Sequence, residues 1–201
     1  MPLAAIAFAT ACTTPAATSN PAAPATTAPA PAPMPSVAKS SAPSSSSAVD
    51  APDPTQDDLV GKAAPDFKAT AQDGSAVHLA ALKGKRVVLY FYPKDETAGC
   101  TKEACSFRDA WDELSKTGAV LVGISADTAG SHKDFAAHYK LPFLLVSDPD
   151  GTIASDYGVP FAGHHSRQTV VVGADGKVKR VYRKVDVSVH AAQILDALKS
   201  S

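Results

Sequence analysis

After residue 59 the spacing of apolar positions changes period several times, and each change marks an element. DFKATAQDGSAVHLAAL alternates on either side of Gln72, Asp73, Gly74 and Ser75, which predicts a β-hairpin. Residues 86–92 (RVVLYFY) form a β-branched and aromatic run, the pattern of a strand buried on both faces. Over residues 100–116 the apolar side chains Ala104, Phe107, Trp111 and Leu114 recur three and four apart, so this stretch is expected to be one amphipathic helix. Residues 119–125, 143–146, 169–173 and 178–182 read as further strands, the last two joined as a hairpin across residues 174–177. Residues 131–139 read as a helix, 153–157 as a short helical turn, and 188–198 as a closing helix with Ser188 as its cap. Strand, helix, strand, helix, then an antiparallel hairpin and a helix predict an α/β domain with a mixed sheet flanked by helices and an N-terminal β-hairpin.

Before residue 59 there is no such pattern. Eleven of the sixteen prolines lie there, and Phe8 is the only aromatic residue. Residues 13–58 are mostly Ala, Pro, Thr and Ser, with too little apolar side chain to offset the entropy of ordering, and read as a linker. The folded domain is therefore expected over residues 59–201. It holds eighteen basic and sixteen acidic residues, with no basic stripe interleaved with aromatics, so nucleic acid is not an expected partner. No apolar run approaches the roughly twenty residues of a spanning helix.

Of the three cysteines, Cys100 and Cys105 follow a strand directly and open a helix. At the carboxyl edge of an α/β sheet, that is where sites form. A helix start favours a thiolate, the nucleophilic form, at Cys100. Gly99 lets the backbone approach whatever meets the sulfur, and the Thr97 hydroxyl can hydrogen-bond a thiolate or a bound oxygen. On an unbroken helix, residues five apart sit roughly 8–9 Å apart at Cα, beyond the usual disulfide limit of about 7 Å. A bond between these two would need the helix start to unravel. The four-residue gap does not match a zinc knuckle, and the six histidines supply no second one. His164 and His165 keep a copper site open, with most of the six histidines expected on the solvated surface.

FYPKDETAGCTKEAC resembles the active-site segment of the peroxiredoxins, specifically the bacterioferritin-comigratory-protein (peroxiredoxin Q) subfamily of AhpC/TSA-type proteins. APDFKATAQDGSAVHLAALKGKRVVLYFYPKD, LVGISAD, LPFLLVSDPDG and SRQTVVVGADGKV extend the likeness across the domain in family order. The resemblance implies a thioredoxin-like fold and reduction of hydrogen peroxide and organic hydroperoxides without metal or other cofactor. It makes Cys100 the peroxidatic cysteine and Cys105 the resolving one, joined after oxidation as a Cys100–Cys105 disulfide that a thioredoxin-like or glutaredoxin-like protein reduces. Arg167 would stabilise the thiolate, Thr97 would position the peroxide, Pro93 would shield the site and Glu103 would hold Arg167. A monomer is implied. Ala98 departs from the pattern, standing where the family usually has Pro.

The first twelve residues, MPLAAIAFATAC, resemble the end of a bacterial lipoprotein signal, with Cys12 as the lipidated residue and the linker as a tether. No Lys or Arg precedes the apolar run, and Ala9 stands where Leu is usual. A periplasmic, membrane-tethered location is the expectation, a cytoplasmic one the alternative. Two rival activities are a thiol–disulfide exchange protein, which would normally carry C-x-x-C, and a copper-handling protein, which would carry C-x-x-x-C with a histidine. A non-catalytic adaptor would give no reason for Pro93, Thr97, Cys100 and Arg167 to coincide.

Overall fold

A computed structural model describes residues 53–200. The calls on residues 1–12, including Cys12, and on the linker up to residue 52 lie outside the described residues.

The hairpin comes first, β1 (Lys68–Thr70) pairing antiparallel with β2 (Ala76–His78), and a 3-10 turn over Leu79–Leu82 leads out of it. The main sheet has five strands: β3 (Val87–Phe91), β4 (Val120–Ser125), β5 (Leu144–Ser147), β6 (Gln168–Val172) and β7 (Val178–Tyr182), in the order β5-β4-β3-β6-β7. β3, β4 and β5 run parallel, and β6 and β7 are antiparallel to their neighbours, so the expected mixed sheet is present. β3 is central and wholly buried. Its alternating side chains feed two cores. Val87, Leu89 and Phe91 face the hairpin and α4 (Thr152–Asp156), together with Val122, Ile124 and Tyr157. Val88, Tyr90 and Tyr92 face α1 (Ala98–Asp109), α3 (Ala129–Tyr139) and α5 (His190–Lys199), meeting Phe107, Phe135 and Ile194.

Four expectations need correction. The helix expected over residues 100–116 is two, α1 and α2 (Trp111–Lys116), parted at Ala110. Nothing local demands a break; tertiary contacts supply it. Arg108 is tied to the Tyr139 carbonyl at 3.0 Å, while the Trp111 ring lies against Phe143, 6.0 Å between centroids. Ser188 does not cap α5, because its backbone N–H and hydroxyl both donate to Asp186, at 2.9 and 2.6 Å, and the helix begins at His190. Residues 53–58, assigned to the linker, are hydrogen-bonded to the domain. Val181 donates to the Pro54 carbonyl at 2.8 Å, and Arg183 donates to both oxygens of Asp57, so residues 53–58 lie along β7. Finally, His132, His165 and His190 are fully buried rather than solvated.

Gly123 on β4 packs closely against Tyr90 and Leu145. A Cβ there would come within 2.6 Å of the Tyr90 phenol and 2.7 Å of Leu145, inside any allowed separation. Gly123→Ala is expected to destabilise the domain by about 1–3 kcal/mol through overpacking. Urea unfolding checks this; an unchanged midpoint would show that the Tyr90 ring is free to move away.

Candidate active site

Three elements converge at the carboxyl end of β3. The strand ends at Phe91, and six residues, Tyr92 to Thr97, carry the chain into α1. Thr97 caps that helix with extended backbone, and its carbonyl takes the first helical hydrogen bond from Thr101 at 2.8 Å. Cys100 therefore lies in the first turn, where backbone N–H groups lack helical acceptors and the dipole favours an anion. Pairing of Phe91 with Gln168 sets β6 beside β3 so that Arg167, the residue just before β6, lies level with the start of this loop.

The guanidinium completes the arrangement. Arg167 Nη2 donates to Cys100 Sγ at 3.2 Å, and Nη1 donates to Glu103 Oε2. Cys100 is a free thiol, 2% exposed, and Glu103 is 1% exposed. Residues three apart share a helix face, so one guanidinium spans both. Gly99 is needed here for space, since a Cβ would stand 3.3 Å from Arg167 Nη2. Burial pushes the Glu103 carboxyl up to about 7, with Arg167 pulling the other way. Its second oxygen, Oε1, is buried with no hydrogen-bond partner, and so is the Tyr90 hydroxyl. Burial lowers the Arg167 affinity for its proton, but Glu103 and Cys100 outweigh it, so the group stays a cation. Such a centre can offer sulfur to an electrophile with a positive charge fixed alongside.

The structure brings Cys100, Glu103 and Arg167 into direct contact as the sequence suggested, and Cys105 is buried on the same helix. The intact α1 runs through both cysteines. Thr97 is exposed and donates its hydroxyl to the Lys94 carbonyl at 3.0 Å, leaving its oxygen lone pairs for another donor. Pro93 is half-buried at the end of β3. Of the two histidines named for a copper site, His165 packs on Phe91, on the sheet face opposite Cys100, and lies 3.1 Å from Asp148 and 3.2 Å from the Ile124 carbonyl.

Sequence reasoning missed a second cluster, behind the loop. Asp95, 4% exposed, accepts from the Tyr92 hydroxyl at 2.7 Å and the Ser131 hydroxyl at 2.7 Å, and lies 2.8 Å from His132 Nδ1. An aspartate in the midst of PKDET gives no sign by itself of being buried. The histidine two turns before the end of an amphipathic helix was the available signal.

Residues 60–181 match the AhpC/TSA family. A Coxiella burnetii protein provisionally named peroxiredoxin bcp is 44% identical over 147 residues, covering 69% of this chain and 97% of that protein. Chloroplastic peroxiredoxin Q of Arabidopsis thaliana is 46% identical over 145 residues, covering 70% of this chain and 67% of the relative. Among solved structures, peroxidoxin BcpB of Mycobacterium tuberculosis superposes with a TM-score of 0.66 at 36% identity, covering 71% of this chain and 97% of that one. The bacterioferritin comigratory protein of Xanthomonas campestris, whose structures concern its alkyl peroxide reduction activity, gives 0.62 at 34% identity, covering 67% and 90%. The fold is thus thioredoxin-like, built around a cysteine held by arginine. The chain belongs to the AhpC/TSA family, in its bacterioferritin-comigratory-protein or peroxiredoxin Q branch, and is a thiol peroxidase.

Glu103 yields a prediction with a definite sign. Its carboxyl titrates near 4.5 ordinarily and about 7 when folded, so the folded state holds the proton more tightly. Stability from this group is therefore full at low pH and is lost as pH rises between those values. Relative to Glu103→Gln, the wild type should lose up to about 3 kcal/mol across that window and no more above it. Urea unfolding of both proteins over the range reads the difference; a flat difference would mean that the buried carboxyl does not titrate there.

Proposed function

We propose that Cys100 is the peroxidatic cysteine of a two-cysteine cycle acting on hydrogen peroxide and organic hydroperoxides. The observation that carries this reading is the Arg167 guanidinium 3.2 Å from Cys100 Sγ, with Glu103 holding its other side. The thiolate attacks one peroxide oxygen, the O–O bond breaks, and the departing oxygen leaves as water or alcohol after taking a proton, so that sulfur becomes a sulfenic acid. Arg167 stabilises the attacking sulfur and the charge developing on oxygen. The free lone pairs of Thr97 accept from the peroxide hydroxyl, and Pro93 walls off one side. Cys105 then attacks the Cys100 sulfur, the S–O bond breaks, water leaves, and a disulfide remains. Since α1 holds both residues on an unbroken helix, its first turn must unwind for this step. An external dithiol of thioredoxin or glutaredoxin type supplies two electrons and restores both thiols.

The reading extends to anchorage. Small residues before Cys12 and the Pro/Ala/Ser/Thr-rich stretch after it support a lipidated cysteine and a tether, with a monomeric catalytic domain in the periplasm. Labelled palmitate incorporated by the wild type and not by Cys12→Ser would support this, and equal labelling of the two would overturn it.

Peroxide consumption and thiol mass test the cycle. Cys100→Ser should consume no peroxide, and Cys105→Ser should turn over once and then accumulate sulfinic acid. Arg167→Ala should slow the first oxidation by about 10²–10³-fold, the usual cost of losing a charge-stabilising donor. A Cys100→Ser protein as active as wild type would refute the assignment.

A further inference from the structure

Arg167 is held from two sides. Downstream of it the β6 ladder begins, with Gln168 opposite Phe91. Upstream, residues 160–166 fold back on themselves. Phe161 and His165 pair as an antiparallel bridge, Ala162 donates to the His164 carbonyl at 3.1 Å, and Ser166 donates to the Pro160 carbonyl at 2.9 Å. The His165 side chain pins this fold to the sheet. Its ring is fully buried, perpendicular to Phe91 at 5.9 Å between centroids and against Phe161 at 5.3 Å. Nδ1 donates to the Ile124 carbonyl at 3.2 Å, since a carbonyl can only accept. That same carbonyl accepts from the Tyr92 backbone N–H at 3.1 Å. One oxygen on β4 thus ties together the chain leaving β3 and the chain entering β6.

The other ring nitrogen reaches the end of β5. His165 Nε2 lies 3.1 Å from Asp148 Oδ2, an ion-pair contact too bent for a hydrogen bond. Asp148 is itself firmly placed. Its backbone N–H donates to the Ser125 carbonyl at 2.8 Å, and its carboxylate accepts from the N–H groups of Ile153 at 3.1 Å and Ala154 at 3.0 Å in α4. Burial pushes this carboxyl up, but His165 and the two N–H groups outweigh it and hold it below the ordinary carboxylate range.

We propose that His165 is a positioning residue for the reaction: braced by Ile124 and Asp148, it fixes where the chain enters β6 and so holds the Arg167 guanidinium on Cys100 Sγ. The chain crosses from one face of the sheet to the other between these two side chains. His165 packs with Phe91 on the face of the hairpin, whereas Arg167 meets Cys100 on the face of α1. Ser166 is the single residue between them, so a displaced imidazole passes its movement to Arg167 through the backbone. A misplacement of about 1 Å at a contact such as Arg167 to Cys100 can cost up to about a hundredfold in rate. The proposal rests on the reading that Cys100 is the peroxidatic sulfur. It gives a role to a buried histidine that touches neither the sulfur nor the peroxide.

Removing the brace should alter the sulfur and not merely the fold. Two probes read it in the full chain: iodoacetamide, with alkylation of Cys100 followed by peptide mass across pH, and hydrogen peroxide, with oxidation of Cys100 followed by rapid quench and mass. His165→Leu keeps an apolar side chain against Phe91 and loses both polar contacts. In it Cys100 should alkylate about tenfold more slowly at neutral pH, with the pH profile moved upward, and should be oxidised about tenfold or more slowly. Asp148→Asn removes the charge facing Nε2 and leaves an acceptor for α4. It should shift both rates in the same sense by a smaller factor, and it carries the test if His165→Leu does not fold. A merely structural role would reduce the amount of reactive protein and leave the pH profile of the folded thiol in place. If His165 acts through Arg167, adding either substitution to Arg167→Ala should change neither rate further. A wild-type alkylation profile in both variants, or an undiminished effect in the Arg167→Ala background, would overturn the proposal. Failure of the underlying reading looks different: peroxide would then leave Cys100 of the wild type unoxidised, while the alkylation profiles would still decide whether His165 governs Arg167.

Discussion

One guanidinium shared between a sulfur and a carboxylate is the contact around which the catalytic end of the domain is organised. Arg167 is the residue before β6, Cys100 and Glu103 lie in the first turns of α1, and the three meet only if β6 pairs with β3 in the observed register. A slip of one residue would turn the β6 side chains to the opposite face and remove the arginine from the thiol. Burial decides the strength of the contact. An exposed Arg–Glu pair contributes little, whereas here both acidic partners are nearly inaccessible and neither can exchange the cation for water. The cost is also visible: Glu103 is forced upward in proton affinity, and one of its oxygens has no partner.

That same contact sets two requirements against each other. Holding Arg167 on both Cys100 and Glu103 requires α1 to be helical through its first turns. The proposed cycle would require those turns to open so that Cys105 reaches Cys100. The domain meets both by distributing its packing unevenly. Phe107, at the far end of α1, is fully buried against Tyr90 and Phe143 and holds the helix to the sheet. In the first turn, residues 98–101, Cys100 is the residue that joins the core. Local opening there removes few apolar contacts, which is the condition for a low-energy excursion that leaves the global fold in place.

How much of this could be read from residues alone depended on the range of the interaction. Runs such as RVVLYFY and the turn at Asp73–Gly74 carry their own signal, because strand burial and hairpin geometry are local, and β3 and the hairpin fall where the pattern put them. The Cys100–Glu103 spacing is local too. The contact with Arg167 spans 67 positions and was legible only through likeness to a known motif. What escaped was decided at a distance. The break at Ala110 lies between Arg108, tied to Tyr139 of α3, and Trp111, set against Phe143 just before β5, and no proline or glycine announces it. Ser188 has the composition of a cap, but Asp186 competes for its hydroxyl. His132, His165 and His190 are polar letters in the sequence and core residues in the fold, since each is satisfied on at least one nitrogen by a partner far along the chain.

Ala98 can be placed on the same scale. It is the first helical residue of α1, a position where a proline is favourable because the missing N–H lacks an acceptor in any case. A proline there leaves the folded turn undisturbed and restricts the opened one. Alanine reverses that balance: its φ is free once the turn unwinds, so the open state gains conformational entropy worth roughly 0.4–1 kcal/mol relative to a proline at that position. The substitution thus acts on the open state alone. On the proposed cycle it would favour the conformation in which Cys105 reaches Cys100.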